Sequence, residues 1–314
     1  METYNFLPYT ILNELFVRID TIATVTPTVA IREDSFDVSM TDSHQLCLEM
    51  GKERFRFCVI EPDNHQCIWL EDYTFPTLLT ENPLLPSIRS IYQNHPILQS
   101  SYWKSIQVSV NSPSFTLVPS GLFRKEYAAQ YLQLMRGNPL SLSEHALVYA
   151  HKKEGFHAVF SIDNALTDWL SATYPLQQIT VVHQSSALIQ ATASVDSVLN
   201  SSQKLSLNFE DESVTIIFRK AGVFQYCNRF SFKNATDLLY YILYVINELK
   251  TEPKDLEVVL FGEITPFAEM YASLESFLPH IKFGSTPSGV QVTPAFDDLP
   301  EHRYFSLYGN TLID

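Results

Sequence analysis

Three histidines lie close together in the sequence, and the histidine imidazole is a common metal ligand. His145, His151 and His157 fall on two predicted strands joined by a turn, which places His151 and His157 opposite each other across a hairpin. Zinc needs a third and a fourth ligand, and Glu154 at the turn is expected to point elsewhere. The spacing therefore favours exposed histidines on a hairpin over a metal site.

Two runs of acidic residues are the next candidates for chemistry. Glu210-Asp211-Glu212 and Asp297-Asp298 carry carboxylates of the kind that bind hard cations. Runs of like charge at loop tips are usually solvated, so solvated loops are the favoured interpretation. The serine pair Ser185-Ser186 lacks the Gly-x-Ser-x-Gly turn that presents a hydrolase nucleophile. We therefore predict neither a metal site nor a serine hydrolase.

The cysteines indicate buried, reduced thiols. Cys47, Cys58, Cys67 and Cys227 each lie in a predicted strand among apolar neighbours, with no Cys-x-x-Cys pair. Small apolar side chains in a reducing compartment explain them best. A strained redox pair between Cys47 and Cys58, on neighbouring strands, is the alternative.

Length and composition limit the classes of protein. The chain has 314 residues, of which 46% are apolar, and this suits two or three packed subdomains. Its formal net charge of −14 argues against binding to nucleic acid or to anionic membranes, because both attract clustered Lys and Arg. No basic leader and no apolar run of about 18 residues is visible. We therefore expect a cytoplasmic protein without membrane insertion.

One order of elements occurs twice in the chain. Residues 44–117 are predicted to form three apolar strands, a helix and a further strand, and residues 204–262 repeat this order. The opening strands are similar, Leu46-Cys-Leu-Glu-Met50 and Leu205-Ser-Leu-Asn-Phe209, and lie half the chain length apart. The repetition predicts two facing lobes with a cleft between them.

Four segments follow from these patterns. They are an N-terminal extension (1–43), a first lobe (44–118), an inserted α+β subdomain (119–197) and a second lobe with a C-terminal helix (204–314). In the second lobe, Asn234 is predicted to cap an apolar helix at residues 235–249. Further helices are predicted at residues 122–135, 266–278 and 301–308.

Several phrases resemble a known family. Phe115-Thr-Leu-Val-Pro119, Asn228-Arg-Phe-Ser-Phe232 and Asp237-Leu-Leu-Tyr-Tyr241 are similar to an uncharacterised bacterial family of unknown function with the actin-like ATPase fold. The layout over residues 45–307 also resembles actin-like proteins of pilus assembly and secretion platforms. The resemblance implies an α/β fold with duplicated, ribonuclease H-like lobes and an inserted small subdomain.

The resemblance also implies where a nucleotide would bind. Active members carry two facing Asp-x-Gly-Ser/Thr hairpins and a Gly-Gly turn beside the adenosine. Here the candidate positions of a degenerate nucleotide cleft are Glu49, Gly51 and Lys52 in the first hairpin, Asn208, Glu210 and Asp211 in the second, and Gly262 and Glu263 after the inner strand. The second hairpin has no glycine, and its acids repel phosphate without a nearby Lys or Arg.

These departures favour a non-catalytic scaffold or adaptor that binds another protein or peptide. No cofactor is expected. The alternative is a weak ATPase or sugar-kinase-like phosphotransferase that binds ATP and magnesium, with Glu49 as the acid that orients the metal. The inserted subdomain, with a predicted free strand edge at residues 156–162, is the expected docking surface for a partner's extended segment.

Overall fold

Three β-sheets organise the part of the chain that the structure describes. The computed structural model describes residues 25–34, 36–75, 84–100, 102–193, 203–210 and 212–313. Two of the sheets contain most of the strands predicted for the two repeats, and the third joins the last strand of the predicted first lobe to two strands of the predicted insertion. Within these described ranges, no helix is both long and apolar enough to cross a membrane.

The first sheet has seven strands. They are β1 (Val29–Arg32), β2 (Gln45–Met50), β3 (Arg54–Glu61), β4 (Gln66–Thr74), β5 (Ser105–Val110), β9 (Ile179–His183) and β15 (Gln291–Val292). Their order is β1-β4-β3-β2-β5-β9, and β15 pairs with β4. β2, β3 and β4 form an antiparallel meander, whereas β5 runs parallel to β2 because α1 (Leu84–Asn94) precedes it as a crossover.

The second sheet repeats the order and directions of the five strands β4-β3-β2-β5-β9 of the first sheet. Its strands are β10 (Gln203–Glu210), β11 (Ser213–Lys220), β12 (Val223–Ser231), β13 (Glu257–Gly262) and β14 (Ile281–Phe283), in the order β12-β11-β10-β13-β14. β10 pairs antiparallel with β11 and parallel with β13. Between β12 and β13 lies α5 (Ala235–Glu248), capped by the side chain of Asn234 as predicted. α5 buries Leu238, Ile242 and Val245 against this sheet.

The third sheet joins the end of the predicted first lobe to the predicted insertion. Its strands are β6 (Phe115–Pro119), β7 (Glu144–His151) and β8 (Phe156–Asp163), in the order β6-β8-β7. Because β8 is hydrogen-bonded on both sides, the predicted free edge at residues 156–162 is wrong. The sequence showed the β7–β8 hairpin, but β6 pairs with β8 across 36 or more intervening residues, which a local pattern does not indicate. The edge strands of this sheet are β6 and β7.

The remaining helices pack against these sheets. They are α2 (Ala128–Arg136), α3 (Asn164–Thr173), α4 (Gln184–Ala193), α6 (Glu269–Glu275) and α7 (Phe305–Gly309). Helices are confirmed near the predicted positions 122–135, 266–278 and 301–308. The predicted ranges begin too early, and the second one also extends too far. In the first case, a 3-10 turn at Lys125–Tyr127 precedes α2, and Gly137 in the left-handed conformation ends the helix.

The two lobes share a layer made by α4 and α7. Phe305 of α7 stacks on Phe261 of β13 with ring centroids 3.7 Å apart, while Leu307 and Tyr308 pack on the first sheet. Gly309 makes the contact between the helices close, because a Cβ there would lie 2.6 Å from the carbonyl oxygen of Ala187. α7 therefore holds both lobes against one another.

Sheet membership crosses the predicted segments. β1 of the N-terminal extension, β9 of the predicted insertion and β15 of the predicted second lobe all pair with strands of the first lobe. The domain boundaries at residues 43, 118, 197 and 204 remain a prediction. Each of these boundaries would place strands that pair with each other in different segments.

Candidate functional site

The two hairpin tips line one cavity between the lobes. The β2–β3 tip contributes Gly51 and Lys52, and the β10–β11 tip contributes Glu210 and Ser213. The cavity measures about 210 Å³, below the roughly 300 Å³ at which small-molecule pockets usually begin. Its lining mixes both charges, since Glu210 and Glu212 face Arg54 and Arg229.

A buried arginine lies at the floor of this cleft. The side chain of Arg56 is 1% exposed and projects from β3, opposite Glu49 on β2. Its Nη1 donates to Glu49 Oε1 at 3.0 Å, and its Nε lies 3.3 Å from Asp72 Oδ2 on β4. Arg56 therefore pairs with two carboxylates of its own lobe.

The same guanidinium reaches the second lobe. Nη2 donates to Glu263, which follows β13, and Nη1 lies 3.9 Å from Glu210 Oε1 at the end of β10. A charged hydrogen bond that crosses the cleft ties the two lobes together at the point where the hairpin tips meet.

Two further arginines and a tyrosine complete the cluster. Arg54 donates to Glu263, and Arg303 Nε donates to the same carboxylate at 3.3 Å. Tyr304 donates its hydroxyl to Asp72 Oδ2 at 3.3 Å and places its ring 5.5 Å from the Arg56 guanidinium carbon. The cluster is therefore close to charge-balanced and draws on both lobes and the segment before α7.

The ionisation of the cluster follows from burial and these pairs. Burial opposes the charge on Glu263, but Arg56, Arg54 and Arg303 outweigh it and hold the pKa of Glu263 below its ordinary value. At Glu210, burial outweighs the attraction of Arg56, and the pKa is raised. Burial disfavours the charge of Arg56 as well, yet the surrounding carboxylates raise its pKa, so it stays charged.

The expectation that no Lys or Arg compensates the second hairpin is wrong. Glu210 is approached by Arg56 and accepts a hydrogen bond from Gln184 Nε2 at 2.9 Å. Arg56 lies more than 150 positions earlier in the chain, so inspection of the neighbouring sequence missed it. Asp211 lies outside the described residues.

Gly262, the last residue of β13, and Glu263, the next residue, help to form the contact between the two lobes. Gly262 has a φ of +81°, and a Cβ at this position would lie 2.2 Å from the carbonyl oxygen of Phe209. The Glu263 amide donates to that carbonyl at 2.9 Å, which directs the Glu263 side chain towards Arg56. Asn208 is buried beside this contact, and neither its side-chain oxygen nor its nitrogen has a hydrogen-bond partner among the described residues.

The three histidines are not equivalent. His151 is 1% exposed, so the expectation of an exposed hairpin histidine is wrong for it. Its Nε2 lies 2.9 Å from Ser186 Oγ, and burial, with Arg219 nearby, lowers its pKa to about 4. His145 contacts Asn164, and His157 stacks on Phe123. Over the described ranges, no three His, Cys, Asp or Glu side chains are grouped to hold a metal ion.

The cysteines are thiols in apolar surroundings, as predicted. Cys47 and Cys58 are strand partners on β2 and β3, and both are free. Burial, with contacts to Cys47 and Cys67, raises the pKa of the Cys58 thiol. A raised pKa leaves little thiolate, so Cys58 is a poor nucleophile.

Sequence reasoning missed Arg54, Arg56, Asp72 and Arg303. A signal was present, because Arg54 and Arg56 alternate with phenylalanines in a strand whose neighbours are apolar. A charge at an inner position of such a strand has to find a buried partner.

The two lobes, the cleft at their hairpin tips and the inserted subdomain define the actin-like ATPase fold. The structure is similar to a Bacteroides thetaiotaomicron protein of unknown function with that fold, with a TM-score of 0.71 and 21% identity over 88% of this chain and 98% of that chain. It is also similar to a chain of the PilM–PilN type IV pilus biogenesis complex, with a TM-score of 0.56 and 11% identity over 85% and 97% of the two chains. At these identities the likeness concerns the fold alone.

The chain belongs to the family described as "Protein of unknown function (DUF3822)", whose model matches residues 33–281. No curated protein matches this chain at a significant level of sequence similarity.

Proposed function

We propose that this protein is a scaffold or adaptor that binds another protein and does not use a nucleotide. The observation that carries the proposal is the cluster around Arg56. A guanidinium and the carboxylates of both lobes occupy the floor of the cleft, where the resemblance to active actin-like proteins implies metal and phosphates.

Entry of a magnesium nucleotide would require this cluster to rearrange. Its phosphates carry the same charge as Glu49, Glu210 and Glu263, so they would have to displace these carboxylates from Arg56. Loss of one partner from a buried ion pair costs roughly 3–5 kcal/mol. That cost opposes nucleotide binding before any chemistry begins.

We therefore expect ATP or ADP with Mg²⁺ to leave the melting temperature unchanged. A ligand at about 100 times its dissociation constant would stabilise the folded state by about 2.7 kcal/mol, which a thermal-shift assay resolves. The assay is repeated with the Glu49→Gln variant and with a coupled measurement of ATP hydrolysis. ATP turnover that disappears in Glu49→Gln would refute the proposal.

One observation favours the alternative of a weak ATPase or phosphotransferase. Glu49 uses one carboxylate oxygen for Arg56, while the other, Oε2, is buried and has no hydrogen-bond partner among the described residues. Glu49 lies two residues before Gly51, which lines the cleft, and an acid at the end of such a hairpin strand can orient a metal ion. The hydrolysis measurement above decides between the two functions.

We place the partner's binding surface on the inserted subdomain. The exposed apolar side chains around α2 form this surface, and they are Leu122 (70% exposed), Tyr127 (52%), Leu134 (83%), Met135 (43%) and Leu142 (101%). Exposed apolar groups on one subdomain are typical of a protein-binding surface. The similarity of the fold to a chain of a two-protein pilus biogenesis complex also supports binding to a protein.

Replacing Leu134 and Leu142 with serine is expected to reduce co-purification of partners from native cells at least fivefold, because about 1 kcal/mol is lost for each apolar contact removed. The matched control is Phe267→Ser with Phe277→Ser, both exposed and outside the inserted subdomain. Substitutions are preferable to deletion of residues 138–197, because β9 and α4 belong to the lobe cores. Equal loss in both double variants, measured by quantitative mass spectrometry, would contradict this placement.

A further inference from the structure

A cavity larger than the cleft between the hairpin tips lies elsewhere on the first lobe. It measures about 590 Å³ and shares no lining residue with the cleft between the hairpin tips. It is enclosed by the β3–β4 turn, by the 3-10 helix Val38–Ser43 with the residues before it, and by Thr293 and Pro294. A volume of this size falls within the range of small-molecule sites.

The charge of this cavity is uniformly negative. Its charged lining residues are Glu33, Asp37, Glu61 and Asp63, and no Lys or Arg lines it. None of these four carboxylates forms an ion pair with another described residue. Hydrogen bonds from the amide and hydroxyl of Ser39 hold the pKa of Asp37 below its ordinary value, so this carboxylate is charged near neutrality.

A buried hydroxyl provides a second, independent feature. Thr293 lines the cavity, is 5% exposed, and occupies the N-cap position of the 3-10 turn Pro294–Phe296. A threonine in that position usually accepts a hydrogen bond from the turn, but here it makes none, and Oγ1 has no partner among the described residues. A buried hydroxyl without a partner is costly, and a hydrogen-bonding ligand would remove the cost.

The spacing of the four carboxylates indicates which class of ligand fits the cavity. In the described part of the chain no three acidic or histidine side chains converge on one point, so the charges do not form a cage for a single metal ion. Phe36, Met40 and Ile68 add apolar surface between them. Separated carboxylates with apolar surface between them match a chain of methylenes that carries several ammonium groups.

We propose that this cavity binds a linear polyamine. The ammonium groups pair with the carboxylates of Glu33, Asp37, Glu61 and Asp63, an amine donates to Thr293 Oγ1, and the methylenes lie against Phe36, Met40 and Ile68. The site is separate from the proposed adaptor surface, and its test does not depend on the partner.

Isothermal titration of the full chain with spermidine tests the site. We expect one binding event that weakens as the salt concentration rises, because the pairs are exposed to solvent. Glu61→Gln with Asp63→Asn is expected to weaken binding about tenfold, since two exposed ion pairs of up to about 1 kcal/mol each are removed. The control, Glu248→Gln with Glu252→Gln, removes the same charge from exposed positions elsewhere and is expected to leave the affinity unchanged.

Variants of Thr293 distinguish a specific polyamine site from a general attraction of cations to the negative charge. Thr293→Val should weaken spermidine binding without loss of thermal stability, because Oγ1 has no partner to lose, while Thr293→Ser should retain the affinity. Three results would overturn the proposal: absence of binding at low salt, equal weakening in the control double variant, or displacement of spermidine by equimolar Ca²⁺. Binding of oligolysine without binding of spermidine would overturn it as well and assign the cavity to a basic peptide.

Discussion

Replacing Arg56 with methionine is expected to lower the free energy of unfolding by roughly 3–5 kcal/mol, because the buried carboxylates around it lose their compensating charge. Glu49 and Asp72 would remain side by side in the first lobe, and Glu263 would lose a cross-cleft partner. Urea unfolding followed by circular dichroism measures the change. Arg89→Met is the matched control, because Arg89 is exposed and forms no ion pair with the described residues, and should change stability by no more than about 0.5 kcal/mol.

A double-mutant cycle shows whether the lobes are coupled through this residue. Glu263→Gln keeps a hydrogen-bond acceptor but removes the charge, so its combination with Arg56→Met should be less destabilising than the sum of the two changes, by on the order of 1–3 kcal/mol. Glu248→Gln on α5 is the control partner and should add to Arg56→Met without coupling. Additive effects for Arg56 and Glu263 would show that the cleft contact does not hold the lobes.

The second large effect is expected on acidification. Burial, strengthened by the charge of Arg229, lowers the pKa of His183 to about 3, although a hydrogen bond to the Ser112 carbonyl opposes the shift. Burial lowers the pKa of His151 to about 4, from an ordinary value of 6.5. Below pH 6.5 the unfolded chain therefore takes up protons that the folded chain excludes, and stability falls until the pH reaches the folded-state values. The full loss is on the order of 5 kcal/mol for His183 and on the order of 3 kcal/mol for His151.

Unfolding by urea at several pH values between 7 and 4 measures this loss. His183→Gln should be less stable than the unmodified chain at pH 7, because its hydrogen bonds are lost, but should lose less stability as the pH falls. His280→Gln, at an exposed position, should keep the slope of the unmodified chain. Glu263, with its lowered pKa, adds to the loss below about pH 4.5, whereas Glu210, with its raised pKa, acts in the opposite direction. A slope unaffected by His183→Gln would contradict the assignment.

Local patterns were sufficient for most elements and for the fold class. The alternation of apolar residues in β2 to β4, the turns between them and the Asn234 cap of α5 all depend on neighbours within a few positions. The repeated order of these elements then predicted two lobes with an inserted subdomain. The predicted helix ends were less accurate than the predicted helices. The start of α2, for example, depends on a 3-10 turn rather than on hydrophobic spacing.

The sequence by itself determined the strands, the helices, their repeated order and the loss of glycine from the second hairpin. Only the tertiary structure decided that β8 lies inside its sheet, that strands from distant segments extend the first lobe, and that Arg56 joins carboxylates from both lobes. The physical reason is the sequence separation over which each interaction acts. Backbone conformation responds to neighbours a few residues away, whereas strand pairing and charge pairing here join residues from about forty to about two hundred positions apart once the chain has folded.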